Sequence, residues 1–472
     1  MSKKNKFDLH DSRLATTDES GHRVFMFPED VKGFWRTKRT QFYWFLIVVY
    51  LVLPWINIGG KQSILLNIAD REFTFFSHTF FAHNAPLVLF FLLAFVFTIG
   101  FVTSLWGRVW CGWACPQTVF IDALYRKVES LVEGKPRARQ RLDEGPWNFE
   151  KVWKRSTKWF LYTVVSLHIT HTFIGYFVGT RRLFWITMEN PNSNLTLFFT
   201  TISITVLFLL NFGWFREQFC LIACPYGRFQ SVMMDDHSMN VVYDDRRGEP
   251  RRQPGQDKTE HADCVDCYAC VKACPTGIDI RRGMQLECIA CTNCIDACDD
   301  IMTKTGREKG LIRYDTLANL RGEKTNYFKP RNIIYFTAII AIFVAFGFTV
   351  NYSTGLSAEV LRGLGSPYRI TKTVTGKKHI LNHFQITLDQ SGSVEDKMIK
   401  IEILEESVNS KVELKVPRNP YNLKKNHARV NVFVKFNKEI LKSGSLPFSF
   451  KIIDLKTGKE LIKEVSLVGP IN

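Results

Sequence analysis

The chain has no cysteine before Cys111 and none in its last 174 residues, which excludes a small secreted scaffold stapled throughout by disulfides. It also lacks G-x-G-x-x-G and G-x4-G-K-[ST], so neither familiar phosphate-cradling loop is present. A third absence sets the architecture: Asp, Glu, Lys and Arg are missing from stretches 42–58, 85–106, 159–178, 195–215 and 333–350. About 20 apolar residues cross a bilayer as a helix rising 1.5 Å per residue. A purely soluble protein is excluded, and about five spans are expected, the first being the shortest and carrying Pro54 near its end.

Lys and Arg number 62 against 45 Asp and Glu, a formal charge of +17. No nucleic-acid reading motif accompanies the excess. Much of it flanks the apolar stretches, where it suits anionic lipid headgroups and the positive-inside bias. Nine cations precede residue 42 and eleven lie in 107–158, whereas loop 59–84 holds only Lys61 and Arg71, and loop 179–194 only Arg181 and Arg182. The expected topology puts segment 1–41, loop 107–158 and segment 216–332 in the cytoplasm and residues 351–472 outside. Segment 1–41 lacks the apolar core of a cleavable signal peptide. Trp106, Trp110 and Trp113 read as interfacial anchors.

The last 122 residues, 351–472, have a different grammar. Runs 383–388, 398–403, 428–436 and 448–453 alternate at period two between Gly, Ser, Pro and Asn breaks, predicting a small Ig-like β-sandwich of roughly seven strands. The fold class is therefore a polytopic α-helical membrane protein of about five spans, 42–215 and 333–350, with a cytoplasmic insert and an external sandwich.

The insert carries Cys264-x2-Cys267-x2-Cys270-x3-Cys274-Pro275 and then Cys288-x2-Cys291-x2-Cys294-x3-Cys298. This is the spacing of a two-cluster bacterial ferredoxin, in which three close thiolates hold one cubane and the fourth reaches the other. Cluster one takes Cys264, Cys267, Cys270 and Cys298; cluster two takes Cys288, Cys291, Cys294 and Cys274, within a domain at about 255–305. Two structural zinc sites are the alternative for such cysteine sets. Asp299 replaces the usual Pro after Cys298, which removes no ligand.

A second cysteine pattern is repeated. Trp110-Cys111-Gly-Trp-Ala-Cys115-Pro116 ends the second span, and Phe219-Cys220-Leu-Ile-Ala-Cys224-Pro225 ends the fourth. Pro after the second Cys suits the first position of a new helix, placing Cys115 and Cys224 at helix N-termini where the dipole favours thiolate. Four such thiolates could bind Cu(I) or cycle between dithiol and disulfide; four small residues packed at helix ends are the bland reading. His168 and His171 lie mid-span on one helical face, consistent with haem, quinone, copper or interhelical hydrogen bonding. Met233, Met234 and His237 offer thioether and imidazole to copper, or simply pack.

Together, the spans, the paired C-x3-C-P elements, the ferredoxin insert and the terminal sandwich resemble the CcoG (FixG) family of cytochrome oxidase accessory proteins. The C-x3-C-P elements alone are similar to those of the wider group with NapH and NosR. The resemblance implies a protein of the bacterial inner membrane, with its last domain in the periplasm. It would reduce Cu(II) to Cu(I), with copper as substrate or transient ligand, for assembly of a cbb3-type oxidase. Its partners would be oxidase assembly factors or a copper chaperone, a cytoplasmic electron donor or quinol, and membrane lipid. A NapH-like quinol dehydrogenase subunit and a non-enzymatic assembly scaffold are the alternatives.

Overall fold

The computed structural model describes residues 16–17, 20, 22–68, 72–76, 78–81, 85–189, 191–251, 262–353, 356–363, 365–372, 378–390, 397–405, 411–423, 427–441 and 444–470. The first residues of the predicted ferredoxin segment, 255–261, and most of 1–21 lie outside these. The chain forms two compact units, one comprising the residues up to Ile58 with Gln62–Asn67 and Phe91–Phe343, the other Gly59–Lys61, Ile68–Phe90 and Val344–Asn472.

Five long helices follow the apolar stretches: α1 (Phe34–Val52), α2 (Ala85–Trp106), α3 (Phe149–Val178), α4 (Leu195–Phe208, continued by a π-helical turn at Leu209–Phe215) and α5 (Pro330–Ser353). Four of them, all but α1, are long and apolar enough to cross a membrane. The predicted first span begins eight residues early in the structure, so its opening turns carry Arg36, Lys38 and Arg39, and it stops before Pro54. Helix α3 also starts early, at an N-cap where the Asn148 side chain accepts the Lys151 N–H at 2.8 Å. It can run on through a charged stretch because Lys151 Nζ donates to the carbonyls of Asp143 and Gly145, and Lys158 pairs with Glu133 at 2.7 Å. Gly179 ends it at φ 94°, a left-handed conformation suited to glycine.

Within the first unit, α1, α3, α4 and the segment 119–125 share a core built on Tyr43, Ile47, Phe120, Tyr125, Tyr162 and Phe212. Helices α2 and α5 meet through Phe97 and Tyr335, Phe101 and Phe336, and a Ser104–Asn332 hydrogen bond. Their remaining apolar surface is largely uncovered, as befits helices solvated by lipid.

The cations of segment 107–158 are not all surface charge. Arg108, Arg139, Lys151 and Lys158 are buried, as are Arg39 and Arg216 outside that segment. Part of the positive excess assigned to lipid headgroups is therefore internal pairing: Glu129 takes Arg139 at 3.0 Å and Arg216 as well.

Toward the C-terminus, the alternating runs become antiparallel strands at Lys378–Gln390, Lys397–Ile403, His427–Phe436 and Ser445–Asp454. They belong to a five-stranded and a four-stranded sheet. Ile386, Ile401, Val432 and Phe450 from the two sheets meet in one core, every second residue pointing inward. Buried Asn382 joins the sheets like a ladder rung, its amide bonding the N–H and C=O of Val468 at 2.8 Å each.

Candidate functional site

The ferredoxin segment builds two similar loops. Around the middle cysteine of each, non-glycine residues turn left-handed: Asp266 (φ 50°) and Tyr268 (58°) beside Cys267, and Ala290 (52°) and Thr292 (62°) beside Cys291. Such residues cost ~1–2 kcal/mol apiece, a strain that wraps three cysteines around a common space. That space is present twice. A cavity of about 340 Å³ is lined by Cys264, Cys267, Cys270 and Cys298, with Tyr243, Met302 and Leu311. A second, of about 350 Å³, is lined by Cys274, Cys288, Cys291 and Cys294, with Cys270 also on its wall.

The donor chemistry fits a cubane in each: four thiols apiece, apolar walls, and no cysteine in a disulfide. Burial pushes the thiols of Cys288 and Cys298 up to about 12 and that of Cys274 to about 11, so a metal must drive off their protons. Among the described residues, no three His, Cys, Asp or Glu side chains converge as tightly as one metal ion requires. The Asp299 departure has a local cause: helix Asn293–Lys304 continues past Cys298, and the Asp299 carboxylate accepts the Gly310 N–H at 2.9 Å.

The two C-x3-C-P elements adopt nearly the same geometry. Cys115 (φ −63°, ψ 125°) and Cys224 (φ −73°, ψ 112°) are extended N-caps, each followed by Pro opening a helix, Pro116–Phe120 and Pro225–Met233. Each donates its backbone N–H five residues back, to Trp110 at 2.9 Å and Phe219 at 2.8 Å. All four thiols are mutual electrostatic neighbours. The expected thiolate at Cys115 is not favoured: burial raises its pKa although the N–H groups of Gln117 and Thr118 pull the other way. Burial, with Cys115 nearby, pushes Cys111 up to about 12, and its thiol donates to Gln230 Oε1 at 3.4 Å.

This quartet abuts the second ferredoxin loop. A Cβ placed on Gly112 would stand 2.4 Å from the Ala290 carbonyl oxygen. Arg108 donates to the carbonyls of Cys288 (3.1 Å) and Gly227 (3.0 Å), and Tyr314 donates to that of Ala290 at 3.2 Å. A further cavity of about 350 Å³ has both Cys220 and Cys291 on its walls, with Arg39, Asp122, Arg126 and Glu217.

The other candidates lie elsewhere. His168 is exposed, and His171 Nε2 meets Thr187 Oγ1 at 3.3 Å. Met233 packs toward Gly100, Met234 caps the helix Pro225–Met233, and His237 Nδ1 accepts the Asn326 N–H at 3.2 Å. Trp113 is more than an interfacial anchor, since its indole donates to Tyr314 Oη at 3.1 Å and its ring lies 6.1 Å from that of Trp35. Sequence reasoning missed Arg39, Arg108, Gly112, Asp122 and Asp296. Their partners are remote in the chain, and no local pattern marks them.

Cysteine quartets at ferredoxin spacing around two apolar cavities, joined to helices able to cross a membrane, define an iron–sulfur electron-transfer protein of the membrane-associated class. Residues 215–317 match the 4Fe-4S dicluster domain family, and residues 87–138 a 4Fe-4S binding domain family. RdxB of Cereibacter sphaeroides is 35% identical over 327 residues, covering 66% of this chain and 68% of RdxB. RdxA of the same organism is 40% identical (63% of this chain, 64% of RdxA), as is the nitrogen fixation protein FixG of Rhizobium meliloti (62% and 57%). The chain belongs to the FixG family, with RdxA and RdxB. It spans less than two thirds of the length of RdxA and of FixG. A solved structure of a FixG-related protein from Vibrio parahaemolyticus aligns with 25% of this chain and 98% of its own, at 10% identity and a TM-score of 0.21.

Proposed function

We propose that the protein is a cupric reductase of the bacterial inner membrane. It takes single electrons from a cytoplasmic donor or a quinol and delivers them to Cu(II) beside the C-x3-C-P thiols. The Cu(I) formed serves assembly of a cbb3-type oxidase through its assembly factors or a copper chaperone. Cys264, Cys267, Cys270 and Cys298 hold one [4Fe–4S] cluster, and Cys274, Cys288, Cys291 and Cys294 the other; one-electron exchange is the chemistry these groups supply when bound. The chain's own part is to insulate them with apolar walls and to set the second loop against the C-x3-C-P quartet.

The observation that carries this reading is the approach of Gly112 to Ala290, which puts a loop of the second cysteine set in contact with the element holding Cys111 and Cys115. In this reading α1 also spans the membrane, the clusters face the cytoplasm, and the terminal sheets form an Ig-like periplasmic domain that grips a partner.

The test is to purify the protein anaerobically, reduce it, remove excess reductant, add Cu(II), and follow cluster reoxidation by EPR while a chelator traps Cu(I). Cu(I) should appear in step with cluster oxidation and be lost when the four C-x3-C-P cysteines are changed to Ser. Reduced clusters persisting beside Cu(II) would overturn it.

A further inference from the structure

We infer that Cys111, Cys115, Cys220 and Cys224 together hold a third, resident [4Fe–4S] cluster. The inference goes beyond the proposed reductase and holds whatever the final electron acceptor is.

The first argument is an unfinished ligand set. The 4Fe-4S binding match at 87–138 contains only two cysteines, Cys111 and Cys115, whereas a cubane on cysteines takes four. The fold supplies the missing pair from the repeated element, bringing Cys220 and Cys224 into electrostatic range of both. The ferredoxin quartets show the same relation, Cys274 and Cys288 with Cys291, and Cys298 with Cys264 and Cys267.

The second argument is how tightly the surroundings close. A Cβ on Gly227 would stand 2.8 Å from the Cys220 carbonyl oxygen, so the helix after Cys224 folds directly back on Cys220. Fully buried Gln230 touches the Cys111 sulfur through Oε1, and its Nε2 lies beside the Tyr226 hydroxyl. A buried amide N–H next to thiols is a donor that inorganic sulfide or iron-bound thiolate can accept. Copper that must be handed on needs an accessible ligand. Four part-buried thiols braced by Arg108 and two glycines suit a group that stays. Each thiol gives up its proton as it replaces a ligand of a preassembled [4Fe–4S] cluster, so transfer of the cluster into the site changes no oxidation state.

Iron and acid-labile sulfide are counted per chain in the full-length protein purified anaerobically in detergent, with copper measured alongside. The expected result is about twelve iron atoms per chain rather than about eight. Cys111→Ser with Cys220→Ser should remove about a third of the iron while the two ferredoxin EPR signals persist. Mössbauer spectra of the unmodified protein read the third cluster without any variant. About eight iron per chain in the unmodified protein, with or without one stoichiometric copper, overturns the inference, as does an unchanged iron content in the double variant. Copper reduction is scored separately: a third cluster with no Cu(I) formed would leave this site standing and remove the reductase.

Discussion

At position 112 the structure has room for hydrogen alone, because the next heavy atom outward would meet the Ala290 carbonyl. Gly112→Ala should push the C-x3-C element off the ferredoxin loop, costing ~1–3 kcal/mol as an overpacked contact. Thermal unfolding should fall accordingly, iron content should be retained, and stopped-flow transfer from reduced clusters to copper should slow. Glu129 shows the converse, a buried charge that cannot be withdrawn. Burial alone would raise its pKa, but Arg216, Lys158 and Arg139 hold the carboxyl at about 2. Against roughly 4.3 in the unfolded chain, its stabilisation is complete above that value and is lost as pH falls through about 2. Glu129→Gln leaves Arg216 buried and uncompensated, which costs ~3–5 kcal/mol near neutrality. Acid titration followed by tryptophan fluorescence should show a shallower stability loss below about pH 5 in the variant, since one depressed carboxyl no longer titrates.

Among the elements, α1 depends on a residue 260 positions away. Gly33 provides no side-chain cap, and instead the Asp296 carboxylate accepts the N–H groups of Trp35 (3.2 Å) and Arg36 (2.6 Å). Asp296 lies between Cys294 and Cys298, so the same carboxylate docks the ferredoxin helix on α1. Asn293 adds a bond from Arg39 at 2.7 Å. Asp296→Ala should cost ~0.5–2 kcal/mol as a lost cap and speed amide exchange at Trp35 and Arg36. The terminal strands behave differently: period-two alternation marks 428–436, and the strand runs His427–Phe436, because each side chain's face is set locally by the pleat. The ferredoxin spacing was legible for a related reason, since the loop that wraps three thiols is itself a local object. The start of α1, the early start of α3 and the charged network around Asp122 and Glu129 were not legible. Their stabilising partners come from other elements, and cations paired inside a protein look in sequence like cations facing lipid.

For the whole molecule, contacts among the helix ends bear on the proposed five-span topology. Arg36, at the start of α1, pairs with Asp122 in the segment after α2, and the neighbouring backbone N–H is held by Asp296 of the ferredoxin helix. The start of α1 and the end of α2 therefore lie on one side. If α2 crosses, as its length and composition allow, the chain must also cross between residues 36 and 85, and α1 is the helix available. Its outward residues Phe45, Val48 and Val52 are exposed and apolar, as lipid contact requires. Arg216 on Glu129 extends the same argument to α3 and α4: if both cross, the chain returns to the side it left. In the proposed topology α5 makes one further crossing, as its length and composition allow. Cysteines introduced at exposed positions read this directly. Ile68→Cys and Lys459→Cys should react with a membrane-impermeant maleimide in intact spheroplasts, whereas Glu308→Cys should react only after permeabilisation. Labelling at 459 but not at 68 would remove α1 from the spans, and labelling at 308 in intact spheroplasts would invert the sidedness of the clusters.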